Sequence, residues 1–136
     1  MTAFQSTDKI TRMAKVLVVD DERDVVELVK FLLERDGHQV VEAFNGREAL
    51  DRAYAELPDL IILDIMMPEM DGYTVNARLT ENESTRRIPV IILTAKGQMR
   101  DVFEMASNVA FYMEKPFDPK HLREKIQEVL SKSANK

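Results

Sequence analysis

Lys15-Val16-Leu17-Val18-Val19-Asp20-Asp21-Glu22 joins an almost wholly apolar run to three consecutive acids. An uninterrupted run rich in β-branched residues is how a strand buried on both faces reads, and such strands belong to parallel sheets covered by helices. Leu60-Ile61-Ile62-Leu63-Asp64 repeats the pattern, again closing on an acid. Pro89-Val90-Ile91-Ile92-Leu93 repeats it once more and ends at Thr94. Gln39 to Ala43 can form a further strand, and Ala110 to Met113 a shorter one before Glu114-Lys115-Pro116.

Helical spacing fills the gaps. Val25, Leu28, Val29 and Leu32 recur at that spacing before the stop at Asp36-Gly37. Asn45-Gly46 is a turn, and Ala49, Leu50 and Ala53 suggest a second helix ending before Pro58. Tyr73, Val75 and Leu79 suggest a third, after the loop Met66 to Gly72. Met99, Val102, Phe103 and Ala106 suggest a fourth. Asp118-Pro119 opens the last helix, with Asp as cap and Pro at its first position, and Leu122, Ile126, Val129 and Leu130 line one face of it. Five strands alternating with five helices give an α/β domain with a parallel sheet.

The chain of 136 residues fits one domain. Residues 1–13 show no period and read as a flexible leader, 14–131 as the domain, and 132–136 as a short tail. Cysteine is absent, which excludes disulfides, thiolate metal sites and cysteine nucleophiles. Lys plus Arg total 19 against 24 Asp plus Glu, a net charge of -5 that repels a phosphate backbone and argues against direct nucleic-acid binding. No apolar run suits a membrane span or a secretory signal, so the expected compartment is the cytoplasm.

Ligands of such a sheet sit at the carboxyl ends of its strands. The first polar residues past those ends are Asp20-Asp21, Asp64, Thr94 and Lys115. Like-charged carboxylates ~4 Å apart repel by about 4 kcal/mol per pair at an effective dielectric of ~20. A hard divalent cation and a lysine relieve this, and oxygen ligands without His or Cys favour Mg²⁺. A carboxylate beside Mg²⁺ and Lys can attack phosphorus, with the Thr94 hydroxyl bonding a phosphoryl oxygen.

Five stretches resemble the response-regulator receiver domain in order and spacing: Val18 to Glu22, Leu63 to Pro68, Met70 to Gly72, Pro89 to Ala95 and Lys115 to Phe117. The resemblance covers residues 14–131 and implies a flavodoxin-like (βα)5 three-layer sandwich whose parallel five-stranded sheet has the order 2-1-3-4-5. It implies that Asp64 accepts a phosphoryl group from a histidine kinase or histidine phosphotransfer protein. Asp21 and Asp64 would ligate Mg²⁺ directly, Asp20 mainly through water, and the Met66 backbone carbonyl would complete the protein ligands. Lys115 would pair with Asp64, Thr94 would be the switch hydroxyl, and Tyr112 the aromatic that moves inward with it. The Lys115-Pro116 bond is usually cis in this family. The implied role is a stand-alone regulator that binds a downstream target protein when phosphorylated, through the surface of its last two helices and fifth strand. Turnover of a small substrate is not implied, only Mg²⁺-dependent self-phosphorylation and self-dephosphorylation. With Met66, Ala95 and Lys96 around the acceptor, that dephosphorylation is expected to be slow. A relay intermediate, or the receiver part of a larger regulator, is the alternative.

Other readings are weaker. Asp20-Asp21 could merely cap the first helix. A metal-dependent phosphatase would want a second acid at Met66, and a flavodoxin-like electron carrier a phosphate-binding loop in place of Asp20-Asp21-Glu22. His38 and His121 are expected at the surface, and Met66, Met67 and Met70 in packing and loop positions. Asn108-Val109 replaces the family's usual Gly-Ala, and the turn is expected to survive because Asn tolerates positive φ.

Overall fold

The protein's computed structural model describes residues 13–95 and 106–134. Five strands, β1 (Lys15–Val19), β2 (Gln39–Ala43), β3 (Leu60–Asp64), β4 (Val90–Ala95) and β5 (Val109–Lys115), pair in parallel in the order β2-β1-β3-β4-β5. Among the described residues the helices are α1 (Arg23–Arg35), α2 (Gly46–Glu56), α3 (Gly72–Glu81) and α4 (Pro119–Ala134). The helix expected on Met99, Val102 and Phe103 lies outside the described residues, as does Lys96; Ala106 belongs to no helix. Residues 1–12 of the expected leader also lie outside, and α4 continues through residues 132–134, where a tail was expected.

The sheet separates two apolar layers, and strand parity decides which residue serves which. Val16, Val18, Leu60, Ile62, Ile91, Leu93 and Met113 pack towards α1 and α4. Leu17, Val19, Ile61, Leu63, Val90 and Ile92 pack towards α2 and α3. All strand residues from Leu60 to Asp64 are buried, as the unbroken apolar run requires.

On α1 the buried face is Val26, Val29, Leu32 and Leu33, whereas Leu28 is 40% exposed. Spacing alone cannot choose between Val25 and Val26, or between Leu32 and Leu33, because adjacent apolar pairs allow two stripes about 100° apart. Local chemistry sets the other starts. Asn45 caps α2 by accepting from Glu48 N (2.8 Å), while Glu48 Oε1 accepts from Phe44 N (2.8 Å). Asp71 caps α3 through Thr74 N, and Asp118 accepts from Lys120 N at the start of α4.

His38 corrects one expectation: it is buried, and its Nδ1 accepts the Ala14 N–H at 3.2 Å. A neutral imidazole with an apolar body can be stored under the sheet once one nitrogen finds a donor. His121 is exposed. Asn108 corrects another. It is absent from the positive-φ residues, and it is buried against α3, so the turn survives by side-chain pairing instead of by a left-handed backbone.

Candidate functional site

Parity carries the site as well as the core. Asp20 and Asp64 continue the alternation of β1 and β3 on the α1/α4 side, and Lys115 continues that of Phe111 and Met113. Thr94 falls on the opposite side, as does Tyr112, which packs with Ile92. The ladder sets Asp64 beside Leu93 and Lys115 beside Ala95, at the carboxyl edge.

One carboxylate oxygen from each of Asp20, Asp21 and Asp64 lies within 4.8 Å of the others. Asp20 and Asp64 are buried, and Asp21 is exposed. Lys115 Nζ closes the cluster from β5, 2.8 Å from Asp20 Oδ2, 3.3 Å from Asp64 Oδ1 and 3.2 Å from Glu22 Oε1. The Lys115-Pro116 peptide is cis. Burial, reinforced by the charge of Asp20 and opposed by Lys115, pushes the Asp64 carboxyl up to about 7. Burial likewise raises Asp20, against its pairing with Lys115. Burial works against the Lys115 ammonium, but Asp20, Asp64 and Glu22 together push it up to about 12.

Asp20 does not cap α1; its Oδ1 accepts from Glu22 N at 2.9 Å, and Glu22, at the cap position, makes no side-chain cap. Glu22 instead reaches Lys115, a contact that sequence reasoning missed. Its signal was the third acid of Asp20-Asp21-Glu22, too close along the chain to be assigned a separate partner. Thr94 is buried, and its Oγ1 donates to Ala95 O at 3.1 Å. Tyr112 is half-buried, one strand away from Thr94. Met66 is 54% exposed at the mouth, while Met67 is buried.

The site opens into a cleft of about 590 Å³ lined by Asp21, Glu22, Asp64, Met66 and Lys115, with Val25, Leu28 and Phe117 at its apolar rim. Three clustered carboxylates with one ammonium for counter-charge, no His or Cys among them and one open side suit a hard divalent cation. The raised Asp64 carboxyl points the same way, since a cation there would replace the missing positive charge.

Residues 16–127 match the family described as the response regulator receiver domain. The chain belongs to that family. It is 40% identical over 120 residues to the alkaline phosphatase synthesis transcriptional regulatory protein PhoP of Bacillus subtilis, covering 88% of this chain and 49% of that protein. It is 38% identical over 120 residues to protein PilH of Pseudomonas aeruginosa, covering 88% of this chain and 99% of PilH. A CheY-like response regulator receiver domain protein from Methanospirillum hungatei superposes with a TM-score of 0.79 at 31% identity, covering 90% of this chain and 98% of that one. The chain spans about half the length of several curated relatives it matches, PhoP among them. Receiver domains interact with histidine kinases and downstream targets, and generally bind Mg²⁺ at an acidic pocket.

Proposed function

We propose that this receiver takes a phosphoryl group on Asp64 from a histidine kinase or histidine phosphotransfer protein, and that the modified domain binds a target protein. The observation that carries this reading is the Asp64 carboxyl, 2% exposed, beside two further carboxylates and 3.3 Å from the Lys115 ammonium, at the floor of an open cleft. An Asp64 carboxylate oxygen attacks phosphorus in line; the O–P bond forms as the donor's N–P bond breaks, the N–P electron pair stays on that nitrogen, and the imidazole, already carrying a proton on its other ring nitrogen, leaves neutral. Lys115 stabilises the transferring oxygens, and Thr94 donates to one of them once it releases Ala95 O. Asp20, Asp21 and Asp64, with the Met66 carbonyl, are the groups that would hold Mg²⁺, and the ion would supply charge neutralisation on the phosphoryl oxygens. Tyr112 packs against the vacated Thr94 side.

The apolar rim of Val25, Leu28, Met66 and Phe117 gives the donor protein a surface beside the acceptor. The domain holds a phosphoryl group and does not turn over a small substrate. The net charge of -5 supports a protein target over direct nucleic-acid contact. No helix among the described residues is long and apolar enough to cross a membrane, and a cytoplasmic location is part of the proposal. A stand-alone role is supported by the match to PilH along nearly its whole length; the doubled length of PhoP supports the receiver part of a larger regulator.

Acetyl phosphate with Mg²⁺ tests the acceptor. The protein is expected to label, and Asp64→Asn is expected to abolish labelling while the fold persists. Labelling of that variant at the unmodified rate would refute the assignment. Onward transfer from the labelled protein to a histidine phosphotransfer domain would identify a relay intermediate instead of a terminal switch.

A further inference from the structure

Away from the acidic site, two asparagine side chains face each other under the apolar layer. Asn76 of α3 and Asn108, the residue before β5, are 4% and 7% exposed. Asn108 Nδ2 donates to Asn76 Oδ1 at 2.7 Å, and Asn76 Nδ2 returns a longer bond to Asn108 Oδ1 at 3.4 Å. The backbone is tied at the same point: Val90 N donates to Asn108 O (2.9 Å) and Val109 N to Ala106 O (3.2 Å). A buried amide that loses its partner is left unsatisfied, so neither asparagine can move far alone.

Immediately beyond this tie the strand carries one extra residue. Val90 faces Val109 and Ile91 faces Phe111, so Ala110 has no partner on β4. The packing shows the same offset, because Val109 and Tyr112 are three residues apart yet serve one face of the sheet. A regular strand would send them to opposite faces. Ala110 is exposed, and β5 is an edge strand, held by β4 alone. A bulge leaves one residue unpaired, disrupts the ladder locally and bends the strand, so the pairing of Phe111–Lys115 with Ile91–Ala95 is separated from that of Val109 with Val90.

We propose that the Asn76–Asn108 pair anchors the entrance of β5 to α3, and that the bulge at Ala110 is a hinge. The hinge frees the segment Phe111–Lys115, which carries Tyr112 and Lys115, to change position while residues 107–109 stay still. The hinge rests on the proposed phosphoryl switch; the anchor does not.

Backbone amide NMR of the full chain tests both parts. In the unmodified protein, Val109 N–H is expected to exchange with solvent at least tenfold more slowly than Ala110 N–H. Asn76→Leu, which leaves the Asn108 amide unpaired, is expected to erase that contrast. Equal rates in the unmodified protein, or no response to Asn76→Leu, would overturn the anchor whatever the site does. On addition of Mg²⁺ and beryllium trifluoride, a phosphoryl mimic, shifts are expected at Tyr112–Lys115 and not at Ser107–Val109. Comparable shifts on both sides of Ala110 would overturn the hinge. Absence of shifts throughout would also overturn it, and acetyl phosphate labelling then tells whether the phosphoacceptor reading has fallen too. If Asn76→Leu alone does not fold, Asn76→Leu/Asn108→Leu removes both amides and leaves none unpaired; shifts spreading to Ser107–Val109 are then expected. Shifts that still stop at Ala110 there would overturn the role of the pair.

Discussion

Lys115 Nζ stands 3.3 Å from Asp64 Oδ1, and yet the Asp64 carboxyl is pushed up to about 7, because burial and the Asp20 charge outweigh that one ammonium. The resting site is therefore short of positive charge, and the shortage has consequences for stability as well as for chemistry.

A carboxyl whose folded pKa exceeds its unfolded value of 3.8 stabilises the fold while protonated. That contribution is fully present below 3.8 and is lost as pH rises towards about 7. Without divalent cations, the urea midpoint of the unmodified protein is expected to fall relative to that of Asp64→Asn across that window, whatever other groups titrate there. Asp64→Asn should flatten the slope and, at a pH above the window, stabilise the protein by on the order of 2 kcal/mol. An unchanged slope in the variant would assign the pH dependence to other groups. Mg²⁺ added to the unmodified protein should recover much of the lost stability above the window.

Gly72 offers a second test, because it brings α3 against the backbone that follows β3. A methyl group at this position would lie 2.6 Å from Asp64 O and 2.8 Å from Ile65 Cα, and Gly72 N already bonds Ile65 O at 2.9 Å. Neither neighbour is a flexible side chain that could step aside. Gly72→Ala is expected to destabilise by roughly 1–3 kcal/mol and to weaken Mg²⁺ binding by shifting Asp64. Thermal unfolding together with Mg²⁺ titration checks both effects; a variant with unaltered melting would mean that α3 yields freely.

Much of this was legible in the sequence because β1, β3 and β4 each pass directly from apolar run to polar end residue. Asp20, Asp64 and Thr94 advertise their positions, and a parallel sheet brings the ends together. Glu22 and His38 were hidden for different reasons. Glu22 finds Lys115 across 93 positions of sequence, which local pattern cannot reveal. His38 has Asp36 and Gln39 close by in sequence, and its burial goes with a long-range contact, where β2 comes back beside β1 and Gln39 N bonds Ala14 O at 2.8 Å. The phase of β5 was equally hidden, since an extra residue in an edge strand leaves no compositional mark.

Leu57 holds a left-handed backbone, φ 47 and ψ 62, at the end of α2, and is 50% exposed. Such a conformation costs a residue with a Cβ roughly 1–2 kcal/mol, and glycine carries little of that penalty. Because half of the leucine side chain is already in water, less apolar burial is lost than strain is relieved. Leu57→Gly is therefore expected to raise stability by about 0.5–1 kcal/mol, read from the urea midpoint. A fall in the midpoint would mean that the buried half of Leu57 outweighs its backbone.

His38 sets the last expectation. Burial lowers its pKa below 6.5, against the pull of Asp36 and Asp59, and its Nδ1 can accept the Ala14 N–H only while unprotonated. For a base with a depressed folded pKa, the unfolded chain takes the proton first. Stability is then unaffected above 6.5 and falls as pH drops through that value towards the folded pKa. The Asp36–Arg123 pair, with bonds of 2.7 and 3.0 Å, acts in a separate window: Arg123 holds Asp36 below 3.8, so its contribution is present above that value and lost only in stronger acid. His38→Asn keeps an acceptor for Ala14 N–H without a titrating ring. Relative to the unmodified protein, it is expected to remove the imidazole's loss below 6.5 while leaving the deeper acid transition in place. Denaturation curves at these pH values separate the two. A variant that loses stability below 6.5 as steeply as the unmodified protein would show that the imidazole is not the source.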